Sequence, residues 1–370
     1  MLKNLVTLAI SGLFSLLLGE FALRMVFDPI DYLHADPHFD PILAHRIDPG
    51  QGGHDDWGYR NSDVPESASI VALGDSMTYG LMAKSKESWP AQLGNQLGTD
   101  IYNAGMMGYG PLQYMHVLKT RAAAMNPDGV IVMVYPGNDL MDTYLLVHTI
   151  EHWHPYRLSA TPEDELEQNV NFGPTVEWGL IRRTRDWLSR NSVLYRIILR
   201  APVFDGLRQS ERVARSSGFE MEHLGETILL DPIKRVRLVD LDNPQLVEGL
   251  ELSLQGLSEI KAFTEENDIG LHMVLMPVRE QLFLPYLPVD LEPDQKAAMA
   301  ALDQNLIQIE TKFASFFEAE GIAWTNVKPA LQTALETENV FPPLDGHPNA
   351  LGYAVIADAL SKALAEREQF

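Results

Sequence analysis

Four short blocks of polar and glycine residues, far apart along the chain, hold side chains whose types suit acyl-transfer chemistry. Ser76 stands in Gly74-Asp75-Ser76-Met77-Thr78-Tyr79-Gly80, directly after the apolar run Ser69–Leu73. A hydroxyl there lies at the end of a buried strand. Gly74 permits a sharp turn, and the helix that follows offers unpaired N–H groups to developing negative charge. A Gly-Asp-Ser tripeptide alone is common, so its meaning depends on companions.

Three companions follow. Asn103-Ala104-Gly105-Met106-Met107-Gly108 closes a second short strand, and Gly108 is the expected backbone donor, with Gly105 and Gly110 as competitors for that role. Gly137-Asn138-Asp139 closes a third strand, from which the Asn138 amide NH₂ is expected to aim at the same point. Asp345-Gly346-His347-Pro348-Asn349 precedes the last helix, with His347 as the base and Asp345 as the carboxylate that orients it. Each block taken alone is more often an ordinary turn or a surface histidine; three strand ends and a helix entrance in one order make the set informative.

The elements that must position these residues alternate. Strands are expected at Ser69–Leu73, Ile101–Asn103, Gly129–Tyr135, Leu271–Met276 and Ile322–Asn326, with helices at Trp89–Leu97, Leu112–Met125, Leu246–Glu266, Gln295–Glu320 and from Asn349 to about Glu366. Continuous apolar runs such as GVIVMVY suit strands buried on both faces. Strand–helix alternation implies a parallel sheet wrapped on both sides. The expected fold is therefore α/β, about five parallel strands with helices on both faces. The alternation lapses at about 145–244, read as a large insertion after the third strand that contains one helix at Val176–Leu199. Residues 28–66 read as an irregular lead-in and 67–370 as the catalytic domain.

The four blocks resemble those of the SGNH hydrolases, also called the GDSL family, over roughly Ile70 to Ala365. The resemblance implies a flavodoxin-like three-layer α/β/α fold, an ester hydrolase working through an acyl-serine intermediate, and site residues Ser76, Gly108, Asn138 and His347 at the matching positions. Trp57-Gly58-Tyr59-Arg60-Asn61, with Glu20 and Leu23-Arg24 in the first segment, resembles a membrane-anchored bacterial subset. One departure stands out: Asp345 lies two residues before His347 where the family usually has three, a spacing similar to that of the alginate O-acetyltransferases. The carboxylate is then expected to approach the imidazole differently. The implied substrate is an ester, most specifically an O-acylated (acetylated) carbohydrate of the envelope or an exopolysaccharide. Transfer of the acetyl group to a glycan hydroxyl and a non-catalytic glycan-binding module are the alternatives. An α/β-hydrolase is disfavoured because Thr78 stands where the G-x-S-x-G elbow ends in glycine.

Composition bounds the rest. The 370 residues are 46% hydrophobic and carry a formal charge of −23, so a sizeable core is available and nucleic acid is repelled. With no cysteine, thiolate metal sites and cysteine nucleophiles are excluded. No phosphate-loop or dinucleotide fingerprint accompanies the strands, so no cofactor is expected. His148, Glu151, His152 and His154 have a metal-compatible spacing, but ordinary structural roles are favoured and no metal is expected. Trp153 and Tyr156 suit either sugar stacking or a small local core, and the core is favoured. Leu5–Gly19 is uncharged and follows Lys3; extended to Phe27 the segment spans about 34 Å as a helix, enough for the hydrocarbon core. Residues 1–27 are expected to be a retained signal-anchor, N-terminus inside, with the catalytic domain periplasmic, or secreted if the segment is cleaved.

Overall fold

The structure is a computed structural model, which describes residues 2–159, 180–200 and 218–365. In chain order its elements begin with helices α1 (Leu2–Arg24) and α2 (Pro29–Tyr32) and the short strands β1 (His38–Asp40) and β2 (Ala44–Arg46). Then come β3 (Ile70–Leu73), α3 (Ser76–Tyr79), α4 (Trp89–Leu97), β4 (Ile101–Asn103), α5 (Pro111–Thr120), β5 (Gly129–Val134) and α6 (Asp139–Thr149). Helices α7 (Leu180–Asn191) and α8 (Val193–Leu199) are followed by β6 (Phe219–His223), β7 (Glu226–Leu230), α9 (Pro232–Val236) and α10 (Pro244–Glu266). The chain closes with β8 (Gly270–Leu275), α11 (Arg279–Leu282), α12 (Pro293–Ala319), β9 (Ala323–Asn326), α13 (Lys328–Leu335) and α14 (Ala350–Ala365).

Contacts divide the chain into two compact units. The larger comprises Phe39–Arg46, Pro65–Asn171 and Arg212–Phe370. Its core is a five-stranded sheet in the order β4-β3-β5-β8-β9, all neighbours parallel. That is the flavodoxin-like order, and the direction of winding reverses between β3 and β5. Every residue of β3 and β5 is buried, as expected of central parallel strands covered on both faces. Helices α5, α6 and α10 pack together, and α4, α13 and α14 form another packed set, giving the three-layer α/β/α architecture.

The expected strands and most helices fall within a residue or two of their predicted ends. Two helices differ. The run Leu112–Met125 breaks after Thr120, where Arg121 leaves helical geometry (φ −132°, ψ −61°), and continues as a 3₁₀ turn over Ala122–Met125 closed by left-handed Asn126. The helix expected over Val176–Leu199 is two helices among the described residues, because Ser192 adopts extended geometry and its Oγ accepts the Tyr195 N–H; 176–179 lie outside the described residues. In the stretch read as an insertion with a single helix, β6 and β7 form an antiparallel hairpin, turning at Leu224 and Gly225 with φ of 49° and 80°.

The smaller unit comprises Met1–His38, Ile47–Val64 and Phe172–Glu211. Within helix α1, Lys3–Arg24 holds an 18-residue window of mean hydropathy 1.9, none of it buried inside the protein, and is long and apolar enough to cross a membrane. The Trp57–Asn61 block is organised by Asp55, whose carboxylate accepts from the N–H groups of Trp57 and Tyr59 and from Asn61 Nδ2, while Arg60 pairs with Asp31 at 3.0 Å.

Candidate active site

Ser76 is the first residue of α3, directly beyond the carboxyl end of β3, and is 8% exposed. Two glycines make its position possible. At Gly74 (φ 156°) a Cβ would lie 2.2 Å from Thr78 Oγ1, and at Gly105 it would lie 2.4 Å from Tyr79 N. The loop after β4 therefore packs directly on the backbone of the turn carrying Ser76. Asp75 caps α3 by accepting the Met77 N–H at 2.8 Å.

His347 Nε2 lies 2.8 Å from Ser76 Oγ, and its Nδ1 lies 2.6 Å from Asp345 Oδ1. A carboxylate only accepts, so Nδ1 carries the proton and the Nε2 lone pair faces the hydroxyl. The two-residue spacing reaches because Asp345 Oδ1 also accepts the His347 backbone N–H at 3.0 Å, a local turn that folds the carboxylate back under its own histidine. Three side chains separated by about 270 positions form one relay.

The candidate oxyanion donors differ in whether their N–H groups are already taken. Gly105 N–H donates to Asn103 Oδ1 and Gly110 N–H to Gln113 Oε1, both within 2.9 Å. That leaves Gly108, in a left-handed conformation (φ 71°); among the described residues no acceptor takes its N–H or that of Ser76. Asn138, at the end of β5, is more encumbered. Its Nδ2 donates to Asp142 Oδ2 at 2.7 Å and also stabilises the Asp75 carboxylate, while its Oδ1 is buried without a partner.

The surroundings are strongly acidic. Burial pushes the Asp75 carboxyl above the usual range, against the pull of the Met77 N–H and His347. Burial, then the Asp75 charge, pushes Asp139 well above that range and Asp142 up to about 8. Asp139 has a structural partner set, Tyr114 OH at 2.9 Å and the Tyr135 N–H at 2.8 Å.

Several contributors carry no motif. His45, on β2, lies 2.7 Å by Nε2 from the Met107 carbonyl oxygen. An acceptor-only carbonyl requires Nε2–H as donor, so His45 grips the peptide unit whose other end is the Gly108 N–H. Arg279, 4% exposed, donates by Nη1 to the carbonyls of Asp345 (2.6 Å) and Pro342 (3.2 Å), and by Nη2 to that of Leu229 (2.5 Å). Leu229 in turn donates its N–H to Pro343 O at 2.9 Å. The β6–β7 hairpin and Arg279 thus brace the loop carrying Asp345 and His347. Buried Glu280 lies beside Arg279 and Arg235; burial opposes its ionisation, but the two guanidiniums hold its carboxyl below the usual range. A sequence signal existed for the hairpin, since Phe219-Glu220-Met221-Glu222 alternates before Leu224-Gly225, but none marked His45 or Arg279.

The remaining sequence candidates are used structurally. His148 Nε2 bonds Glu248 Oε1 at 2.9 Å inside the α6–α10 contact, and His152 meets the rings of His116 and Trp153 edge-on. Among the described residues no group of three His, Asp or Glu side chains is arranged to hold a metal ion. Trp153 is 2% exposed and donates Nε1–H to Ile42 O, and Tyr156 OH bonds Glu259; Trp153 belongs to a core rather than to a sugar platform.

Fold and site together define a doubly wound α/β protein with a serine–histidine–aspartate relay at its topological switch point. Solved structures similar to this chain include a protein assigned to the lipolytic G-D-S-L family from Desulfitobacterium hafniense, 14% identical over 80% of this chain and 98% of its own, with a TM-score of 0.41. A GDSL-like lipase from Bacteroides thetaiotaomicron is 10% identical, over 80% and 87%, with a TM-score of 0.37. A catalytic mutant of an acetylxylan esterase from Geobacillus stearothermophilus is 12% identical, over 83% and 97%, with a TM-score of 0.36. No protein-family model matches the chain, and no curated protein matches it.

Proposed function

We propose that this chain is a serine esterase of the SGNH type, cleaving acyl esters through an acyl-serine intermediate, with Ser76 as nucleophile. The observation that carries the reading is the unbroken relay Ser76–His347–Asp345, at 2.8 and 2.6 Å; it is supported by the N–H groups of Ser76 and Gly108, which have no acceptor among the described residues. His347 Nε2 takes the hydroxyl proton as Oγ adds to the ester carbonyl, and Asp345 balances the charge of the imidazolium. The carbonyl oxygen becomes an oxyanion held by the N–H groups of Ser76 and Gly108, joined by Asn138 once its amide turns from Asp142. Collapse breaks the ester bond, and His347 returns its proton to the departing alcohol. A water molecule, deprotonated by His347, then releases the acid and restores Ser76.

The substrate proposed is an O-acetylated envelope or extracellular glycan, with the catalytic domain periplasmic and α1 retained as an anchor. Retention is supported by Glu20, whose carboxylate accepts from Ser192 Oγ and the N–H groups of Val193 and Leu194 and pairs with Arg24. Cleavage after Ala22 would remove the cap of α8. Replacement of Ser76 by alanine is expected to abolish hydrolysis of an activated acetate ester and labelling by a fluorophosphonate probe; unchanged rates and labelling refute the assignment.

A second reading, transfer of the acetyl group to a glycan hydroxyl, is favoured by the Asp345-Gly346-His347 spacing. Incubation with an acyl donor and oligosaccharide separates the two by whether acetate is released or transferred. A non-catalytic glycan module predicts no probe labelling at all.

A further inference from the structure

Helix α7 presents two large apolar side chains, Leu180 and Trp187, to solvent. At 3.6 residues per turn, Leu180, Thr184, Trp187 and Asn191 share one stripe, and Arg182, Asp186, Ser189 and Arg190 lie on the opposite side. In a soluble protein the first stripe would face inward. Here the polar side lines a cavity of about 450 Å³ with His34 and Asp36, while Leu180 is 81% and Trp187 62% exposed. Arg183, exposed, lies on one edge of that stripe, and Arg185, also exposed, lies about 100° beyond Thr184, towards Ser189.

Two further observations say what covers this face. Residues 180–200 contain six arginines against one aspartate, a strongly basic segment in a chain of net charge −23. The segment is also stitched to the end of the apolar helix α1. Arg24 Nη2 donates to Asn191 O at 2.7 Å, the Glu20 carboxylate caps α8, and Arg196 Nε donates to Tyr32 O at 2.8 Å. Met25 and Val26, where α1 ends, are exposed as well, as is Ile198 on α8. A stripe exposing leucine and tryptophan, in an arginine-rich helix bonded to the end of a membrane-length one, has the composition of an interfacial helix.

We propose that α7 lies in the membrane interface, with Leu180 and Trp187 in the headgroup–acyl boundary and Arg183 and Arg185 on the phosphates of anionic phospholipids. The partner is the bilayer surface in which α1 is embedded, so the protein is held by a helix and a collar rather than by a single flexible tether. This goes beyond the proposed catalysis and rests on α1 being membrane-inserted. Anionic lipid is selected because an arginine-rich edge near a charged leaflet gains attraction that a zwitterionic surface does not supply.

The absence of cysteine makes the test direct. Single substitutions Leu180→Cys, Trp187→Cys, Leu13→Cys on α1 and Val289→Cys on an exposed loop are spin-labelled in the full chain. The chain is reconstituted into bilayers of phosphatidylcholine containing phosphatidylglycerol. Labels at 180 and 187 are expected to favour oxygen over a water-soluble nickel chelate, as at 13, with the reverse at 289. Water-like accessibility at 180 and 187 with lipid-like accessibility at 13 overturns the collar. Water-like accessibility at 13 removes the inserted helix on which the collar rests, and leaves the esterase reading to its own assay. Adding Arg183→Gln and Arg185→Gln, or using phosphatidylcholine alone, should shift the label at 187 towards the nickel-accessible state; no shift overturns the role of anionic lipid.

Discussion

Asn138 stands between two carboxylates that compete for its amide. Its nitrogen serves Asp142 and Asp75, favouring their charged forms, and its oxygen is buried with no partner among the described residues, which costs stability. Asp142 is raised from 3.8 to about 8 by burial and the Asp75 charge. A carboxyl whose folded value exceeds its unfolded value binds more protons when folded, so its contribution is present at low pH and is lost as pH rises through the folded value. Stability is therefore expected to fall between about pH 4 and pH 8, and Asp142→Asn should flatten that decline, as read by thermal unfolding across the range. At His45 the expectation is kinetic. His45→Leu removes the donor holding the Met107–Gly108 peptide, and kcat should fall about five- to tenfold, the weight of one ordinary hydrogen bond, with KM little changed. His45→Gln, able to donate to the same carbonyl, should recover most of the loss; equal loss in both variants would make His45 a packing residue only.

Among the elements, the loop from Pro342 to His347 has little regular structure of its own and depends on neighbours. Arg279 holds two of its carbonyls, and the β6–β7 hairpin holds Pro343. Arg279→Met leaves those carbonyls without their donor and removes one of the two guanidiniums beside buried Glu280. A destabilisation of about 3–5 kcal/mol is expected in chemical unfolding, together with a larger loss in kcat than in KM, because Asp345 and His347 move as one. The parallel strands and long helices were legible in the sequence, since GVIVMVY and the 3.6-residue periods of α10 and α12 report burial directly. Less legible was the break at Ser192. A helix period continues through it, and only the cap formed by its hydroxyl and the Glu20 carboxylate, 172 positions away, interrupts the run. The hairpin was missed because its turn pairs glycine with leucine, a residue that rarely takes positive φ.

For the molecule as a whole, the retained-anchor reading predicts that mass analysis of the membrane-extracted protein recovers the segment Lys3–Arg24 joined to the rest of the chain. A mature end after Gly19 or Ala22 would refute it. Cysteine-free composition, an acidic surface charge, a membrane-length apolar segment and four chemically apt blocks in fold order are properties of the sequence by itself, because they depend on residue type and local period. Tertiary structure decided which glycine amide is left open, since Gly105 and Gly110 are occupied by side chains the chain brings to them. It likewise decided that Asp345 reaches His347 across a two-residue spacing. The bracing of that loop by Arg279, and the outward turn of the apolar face of α7, were decided there too. Those outcomes depend on which distant partners take up each donor, acceptor and apolar face, and pairing across long chain separations is set only when the sheet and its flanking helices have closed.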